Sequence, residues 1–164
     1  MKTIVYPELF IEFPGYTPGV VVAQKMNNSA ENPQLIELLR EAEQDATQDV
    51  LLKEIKNHPR INNWRLAYSK FGINPDKYYF SIESLCRRAR RGDHLPYINT
   101  AVTLFNYFSL KHIVPSGADD LANMKSDMNL TIAKGDEPFI AFNSDVVEYP
   151  SPGEVIYRDE TCRH

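Results

Sequence analysis

INTAVTLFNYFSLKHIVPSGADDL, residues 98–121, contains a helix together with its start and stop signals. Asn99 is a favoured N-cap, with an amide oxygen able to accept from a free N–H of the first turn, while Pro115 and Gly117 end the helix on its C-terminal side. A helix from about Thr100 to Ile113 is expected, with Ala101, Val102, Phe105, Phe108 and Ile113 on its apolar face. Asn99, Thr103, Asn106, Tyr107 and Lys111 then share the opposite stripe. A row of amide, hydroxyl and ammonium groups on a mainly apolar helix lines either solvent or a cleft, and the residue order fits both.

Upstream, SIESLCRRARRG (81–92) predicts a helix with Ser81 as N-cap, Gly92 as terminator and Ile82, Leu85 and Ala89 facing inward. Before it, FGINPDKYYF reads as a loop, and a short helix carrying Trp64, Leu66, Ala67, Tyr68 and Phe71 ends at Gly72, with Trp64 assigned to the core. Asn32 and Pro33 open a longer helix whose inward row is Leu35, Leu38 or Leu39, Ala42, Ala46, Val50 and Ile55, with a break expected near Thr47. The N-terminus reads as two strands, about Thr3 to Phe13 and Val20 to Met26, the latter buried, joined by PGYTPG. Downstream, MNLTIAKGDEPFIAF (128–142) reads as a hairpin turning at Gly135 and Asp136, with Thr131 and Ala133 on the face away from Met128, Leu130 and Ile132. Glu154 to Arg158 is the last expected strand. Strands, then helices, then strands predict a single mixed α+β domain over residues 1–164, a mixed sheet packed by several helices.

At 164 residues, with 43% hydrophobic and 24% charged residues, the chain can build a core without disulfide or metal staples. Cys86 and Cys162 lie far apart with no CxxC, and the four histidines are scattered, so idle thiols, no metal and no cofactor are expected. GxSxG, HExxH, GxxxxGK[ST] and GxGxxG are all absent. The opening MKTIVYPELFIEF is too interrupted for a signal peptide and no run suits a membrane span, which sets the expectation of a cytoplasmic protein without a membrane partner. The net charge of −4 is unevenly spread: residues 57–114 hold nine Lys and Arg against three Asp and Glu, whereas both flanks are acidic. Such a basic island suits a polyanion, although a solvated basic helix explains it equally simply. Its densest part is Arg87, Arg88, Arg90 and Arg91, near a helix C-terminus where cations also complement the macrodipole.

The stretch 98–121 resembles the tRNA-binding and editing domain of the phenylalanyl-tRNA synthetase beta subunit, whose pattern is INxxVDxxNxxxLxxxxPxxAxDLD. Ile98, Asn99, Val102, Asn106, Leu110, Pro115, Ala118, Asp120 and Leu121 fall on it without a gap, and LTIAKGDEPF and PGEVIY come at the right distance after it. Upstream, YTPGVVV, HPRI, WRLAYSKFGINPDKY and SIESLCRRA look like stand-alone proteins made of this domain. The resemblance implies tRNA or aminoacyl-tRNA as partner, a link to a synthetase, and hydrolysis of mischarged aminoacyl-tRNA in trans. It implies Asn99, Gly117, Ala118, Asp120, Thr131 and Ala133 as pocket residues, and Asn106 and Lys111 as catalytic ones. Lys77 and the four arginines would then meet the tRNA backbone. The family has Glu at Lys111, His at Gly117, Asp at Thr103, an aromatic residue at Asp119 and a second Asp at Ala122, which implies a pocket retuned for an amino acid other than tyrosine. Because the family's chain continues past the Cys-Arg position, the end at His164 sets the expectation of a domain short of its last strand.

The mechanism so implied positions water and the tRNA terminal hydroxyl around an acyl ester, with Lys111 stabilising the oxyanion. Lys111 reads equally well as a surface lysine near a helix end, and Asn99 and Asn106 as a cap and a buried amide. A binding module without editing chemistry is the alternative, and an amino-acid sensor without RNA a third reading.

Overall fold

Asn32 caps the first long helix as its position predicts: its side-chain oxygen accepts from Leu35 N at 3.1 Å, and Pro33 takes the first helical position. That helix, α2, spans Pro33–Gln48 and comes after two earlier elements, strand β1 (Thr3–Val5) and helix α1 (Pro7–Glu12). The structure, a computed structural model, describes residues 1–29, 31–141 and 143–159. They fall into two compact units, one from Ala23 to Ala118 and one joining Met1–Val22 to the chain from Asp119 onward.

The unit from Ala23 to Ala118 is helical. Leu35, Leu39, Ala42 and Ala46 of α2 are buried, whereas Leu38 is exposed. The expected break falls at Asp49, whose carboxylate accepts from Leu51 N at 2.7 Å and opens a 3-10 helix over Val50–Asn57. That tighter winding sends Leu52 to the core and leaves Val50 exposed. Helix α3 (Pro59–Lys70) stops at Gly72, where φ is 75° and a glycine is favoured. Trp64 packs on the core beside Phe80, as expected, while Leu66 is exposed.

Helix α4 (Ser81–Arg90) starts differently from expectation: Phe80 is the cap residue and no side chain caps the end. Phe80 is buried against Trp64 and Tyr68, so Ser81 enters as the first helical residue. Gly92, at φ 80°, closes α4 through Gly92 N to Ala89 O and Asp93 N to Arg88 O. Helix α5 (Thr100–His112) is capped twice: Asn99 accepts from Val102 N and Asn28 from Ala101 N, both at 2.9 Å. Its expected facing is corrected. Thr103, Tyr107 and Leu110 are buried, whereas Ala101, Val102 and Phe105 are half-buried and Phe108 is exposed. Tyr107 has more apolar ring than hydroxyl and joins the core, while Phe108 stacks on His112 with centroids 5.9 Å apart. Helices α4 and α5 both pack on α2.

The other unit holds the sheet. Strands β2 (Met128–Ile132), β3 (Phe139–Ile140), β4 (Val147–Glu148) and β5 (Val155–Arg158) succeed one another in chain order. β1, β2 and β5 form a three-stranded sheet with β2 central, parallel to β1 (Val5 opposite Leu130) and antiparallel to β5 (Thr131 opposite Ile156). The last strand therefore lies where expected. The expected strand from Thr3 to Phe13 ends at Val5 because Pro7, with its fixed φ, starts α1. Val20 to Met26 forms no strand: Val21 is 93% exposed, and β-branching alone makes no strand without a partner. The turn at Gly135 forms, at φ 94° and so close to Pro152 that a Cβ would lie 2.7 Å from its Cγ. It does not close the expected hairpin. β2, with Met128, Leu130 and Thr131 buried, takes β1 and β5 as partners, and Phe139–Ile140 pairs with Val147–Glu148 instead. A mixed sheet with several helices makes the fold mixed α+β, as expected. Cys162, His164 and the expected loss of a last strand lie outside the described residues.

Candidate functional site

Helix α5 presents its polar residues on different sides. Asn99 serves as the cap, Asn106 is half-buried, and Lys111 is exposed with its Nζ donating to the Tyr107 hydroxyl at 2.6 Å. That bond raises the Lys111 pKa above its ordinary value, so the group is an ammonium ion at neutral pH. Asn106 and Lys111 are five positions apart, about 140° around a helix, so no single face presents both squarely. Thr103, one turn before Tyr107, is 0% exposed and its hydroxyl has no hydrogen-bond partner among the described residues.

After α5, Ser109 and Ser116 hydroxyls meet at 3.0 Å, and Gly117 and Ala118 are exposed. Among the described residues nothing lies within 4 Å of a Cβ built on Gly117, and its backbone is not left-handed, so neither space nor conformation requires glycine there. Asp120, Thr131 and Ala133 belong to the sheet unit. Asp120 accepts from Ala122 N at 3.0 Å and Asn123 Nδ2 at 2.9 Å, which shapes a turn. Thr131 donates its hydroxyl to Glu8 at 3.2 Å, and Ala133 is buried with its N–H on Glu154 O. Strand alternation assigns Thr131 and Ala133 to the opposite face, yet Met128 and Leu130 are buried too, because a central strand is covered from both sides.

Arg87, Arg88 and Arg90 of α4 and Arg91 just past its end each have a local partner. Arg87 holds the buried Glu83 through Nη2 at 2.7 Å and lies 4.1 Å over the Tyr79 ring, Arg91 pairs with Asp93 at 2.9 Å, and Arg88 and Arg90 reach the carbonyls of His94 and Thr47. Glu83 also receives Arg65 at 2.9 Å, and Arg65 in turn binds Asp76 and Pro75 O. Lys77 sits 5.1 Å over the Tyr78 ring. Residues 65–94 still hold seven Lys and Arg against three Asp and Glu.

Sequence reasoning assigns Glu43 no role. It is 4% exposed and accepts from Arg40 Nη1 at 2.6 Å, Leu95 N at 2.7 Å and the His94 Nδ1 at 2.7 Å. Burial pushes its pKa up, but those bonds outweigh burial and hold it below the ordinary carboxylate range. A Glu one position past an inward Ala42 was the only signal, and a helix-border carboxylate ordinarily faces water. Cys86 is buried, as expected of an idle thiol, and burial pushes it up to about 12. Among the described residues no group of three His, Cys, Asp or Glu side chains is placed to hold a metal ion, and no helix is long and apolar enough to cross a membrane.

A family model, the B3/4 domain, matches residues 63–163. The chain belongs to the B3/4 domain family, the domain found in the phenylalanyl-tRNA synthetase beta subunit, which links it to a tRNA-related function. No curated protein and no solved structure matches it.

Proposed function

We propose that this protein binds aminoacyl-tRNA and hydrolyses the ester of mischarged molecules in trans, acting in the cytoplasm as one functional domain. The family match carries this reading, because it takes in α4 with its arginines, all of α5 and the β2 to β5 region together. In the reaction, water adds to the ester carbonyl and the terminal ribose oxygen leaves with a proton, giving a free amino acid and uncharged tRNA. Lys111 is suited to the oxyanion, since its Nζ is cationic and held by Tyr107 at a defined point. Arg87, Arg88, Arg90, Arg91 and Lys77 supply forks and point charges for phosphate. In the helical unit Asn99, Asn106, Gly117 and Ala118, and in the sheet unit Asp120, Thr131 and Ala133, are the residues that the resemblance proposes for substrate contact.

The test is release of amino acid from a panel of correctly and incorrectly charged tRNAs by the purified protein, beside Lys111→Ala and a variant with Arg88 and Arg91 neutralised, neither of which holds a buried carboxylate. Selective release from one mischarged tRNA, weakened by both changes, is expected. A second reading, a tRNA-binding module without turnover, is favoured by Lys111 and Gly117 standing where the family has Glu and His. Salt-sensitive tRNA binding with no release from any member of the panel would establish it instead.

A further inference from the structure

We infer that Tyr78 and Tyr79 form a stacking platform for unpaired bases, so that the RNA contacted beside α4 is single-stranded. The inference rests on the proposed binding of tRNA and names which part of it meets this surface. The two tyrosines precede α4 directly and are 55% and 43% exposed, an outlay of aromatic surface left uncovered among the described residues. The next residue, Phe80, is 4% exposed and inserted beside Trp64 and Tyr68, so the chain is anchored immediately behind the two rings.

The loop that carries them is tied at several points. Lys77 N and Tyr78 N both donate to Asn74 O, at 3.1 and 3.0 Å, and Asp76 N donates to Asn74 Oδ1 at 2.9 Å. Arg65 binds Pro75 O at 2.9 Å and reaches the Asp76 carboxylate. Tyr79 is backed on one side by the Arg87 guanidinium, 4.1 Å away, which is itself fixed by the buried Glu83. The ring thus loses little freedom when a base lands on it, which lowers the entropic cost of binding. Lys77 lies 5.1 Å over Tyr78. Aromatic faces with Lys77 and Arg87 directly beside them are the combination that proteins use for unpaired nucleotides: cations track the phosphates and each base stacks on a ring. A duplex keeps its bases inside and offers such rings nothing to stack on.

The experiment measures the affinity of the full chain for a single-stranded oligoadenylate about a dozen nucleotides long, for an RNA duplex of the same length and for uncharged tRNA. Tyr78→Ala and Tyr79→Ala are each expected to weaken single-strand binding roughly fivefold to a hundredfold, the value of one lost base stack. Tyr78→Phe and Tyr79→Phe should stay close to the parent, with duplex binding unchanged throughout. Because both rings are exposed, unchanged thermal midpoints should show that the alanine variants fold. Equal single-strand affinity in the alanine variants, equal losses on duplex and single strand, or failure of the phenylalanine variants to restore binding each overturns the stacking role. If tRNA binding remains salt-sensitive in that event, the tRNA reading survives; if the parent binds no RNA at all, both fall.

Discussion

At the scale of single residues, Glu43 joins α2 to the chain after α4, and its removal takes the carboxylate acceptor from Arg40 Nη1 and the Leu95 N–H, while Arg40 Nη2 keeps Leu95 O. Glu43→Gln is expected to cost about 1.5–3 kcal/mol in denaturant unfolding at neutral pH, the range for hydrogen bonds to a charged group. Because the folded-state pKa lies below 4.5, its ordinary value, this contribution is present above that value and is lost as pH falls through the lowered one. The gap between parent and variant should therefore close in acid, and a constant gap down to the acid transition would refute the assignment. Thr103→Val replaces a buried hydroxyl, unpartnered among the described residues, with a methyl of similar shape, so stability should hold or rise by about 1 kcal/mol. In a Cys162→Ser background, Cys86 should resist a thiol reagent until the protein unfolds, since it is buried with its pKa pushed up to about 12. Gly117→His with Lys111→Glu introduces the two residues that the resemblance implies there, at positions that are sterically open or exposed. That double variant should fold, and release of tyrosine from mischarged tRNA should appear or increase in it if these positions set the specificity.

At the scale of elements, Asn99 tests whether a predicted pocket residue is more than a cap. Its side chain accepts from Val102 N at the start of α5, and loss of such a cap costs about 1 kcal/mol. Asn99→Ala should lower the thermal midpoint accordingly, and Asn99→Ser should recover it. If Asn99→Ser recovers stability but not tRNA turnover, the amide has a role beyond capping. Caps of this kind were legible because they depend on a few adjacent residues: Asn32, Asn99, Gly72 and Gly92 all sit where their chemistry predicts. Strand partners were not legible in the same way. Val20 to Val22 carry strong strand propensity and remain unpaired by any described strand, while β2 found partners more than a hundred residues upstream and about twenty-five downstream in the chain. The facing of α5 failed for a related reason, since Tyr107 counted as polar in the pattern but contributes its ring to the core.

For the molecule as a whole, the basic middle of an otherwise acidic chain predicts a salt-dependent affinity for tRNA. Each phosphate contact should add about 0.7 to 0.9 to the slope of log affinity against log salt. Neutralising Arg88 and Arg91 together, which hold no buried carboxylate, should therefore flatten that slope by roughly 1.4 to 1.8 if both meet phosphate. Arg87 is a poorer probe, because Arg87→Gln also removes a partner of Glu83 and confounds binding with folding.

The residue order alone determined the caps at Asn32 and Asn99, the terminating Gly72 and Gly92, the mixed α+β class and the family pattern running from Ile98 to Leu121, because each is encoded in short spacing or in side-chain type. It also exposed the basic island, although not which cations are already engaged. Tertiary structure decided that Glu83 and Glu43 are buried acceptors, that Lys111 is held by Tyr107, and that β1 and β5 flank β2. Those outcomes depend on groups distant in the chain meeting in space, and a local pattern carries no information about a partner it does not contain.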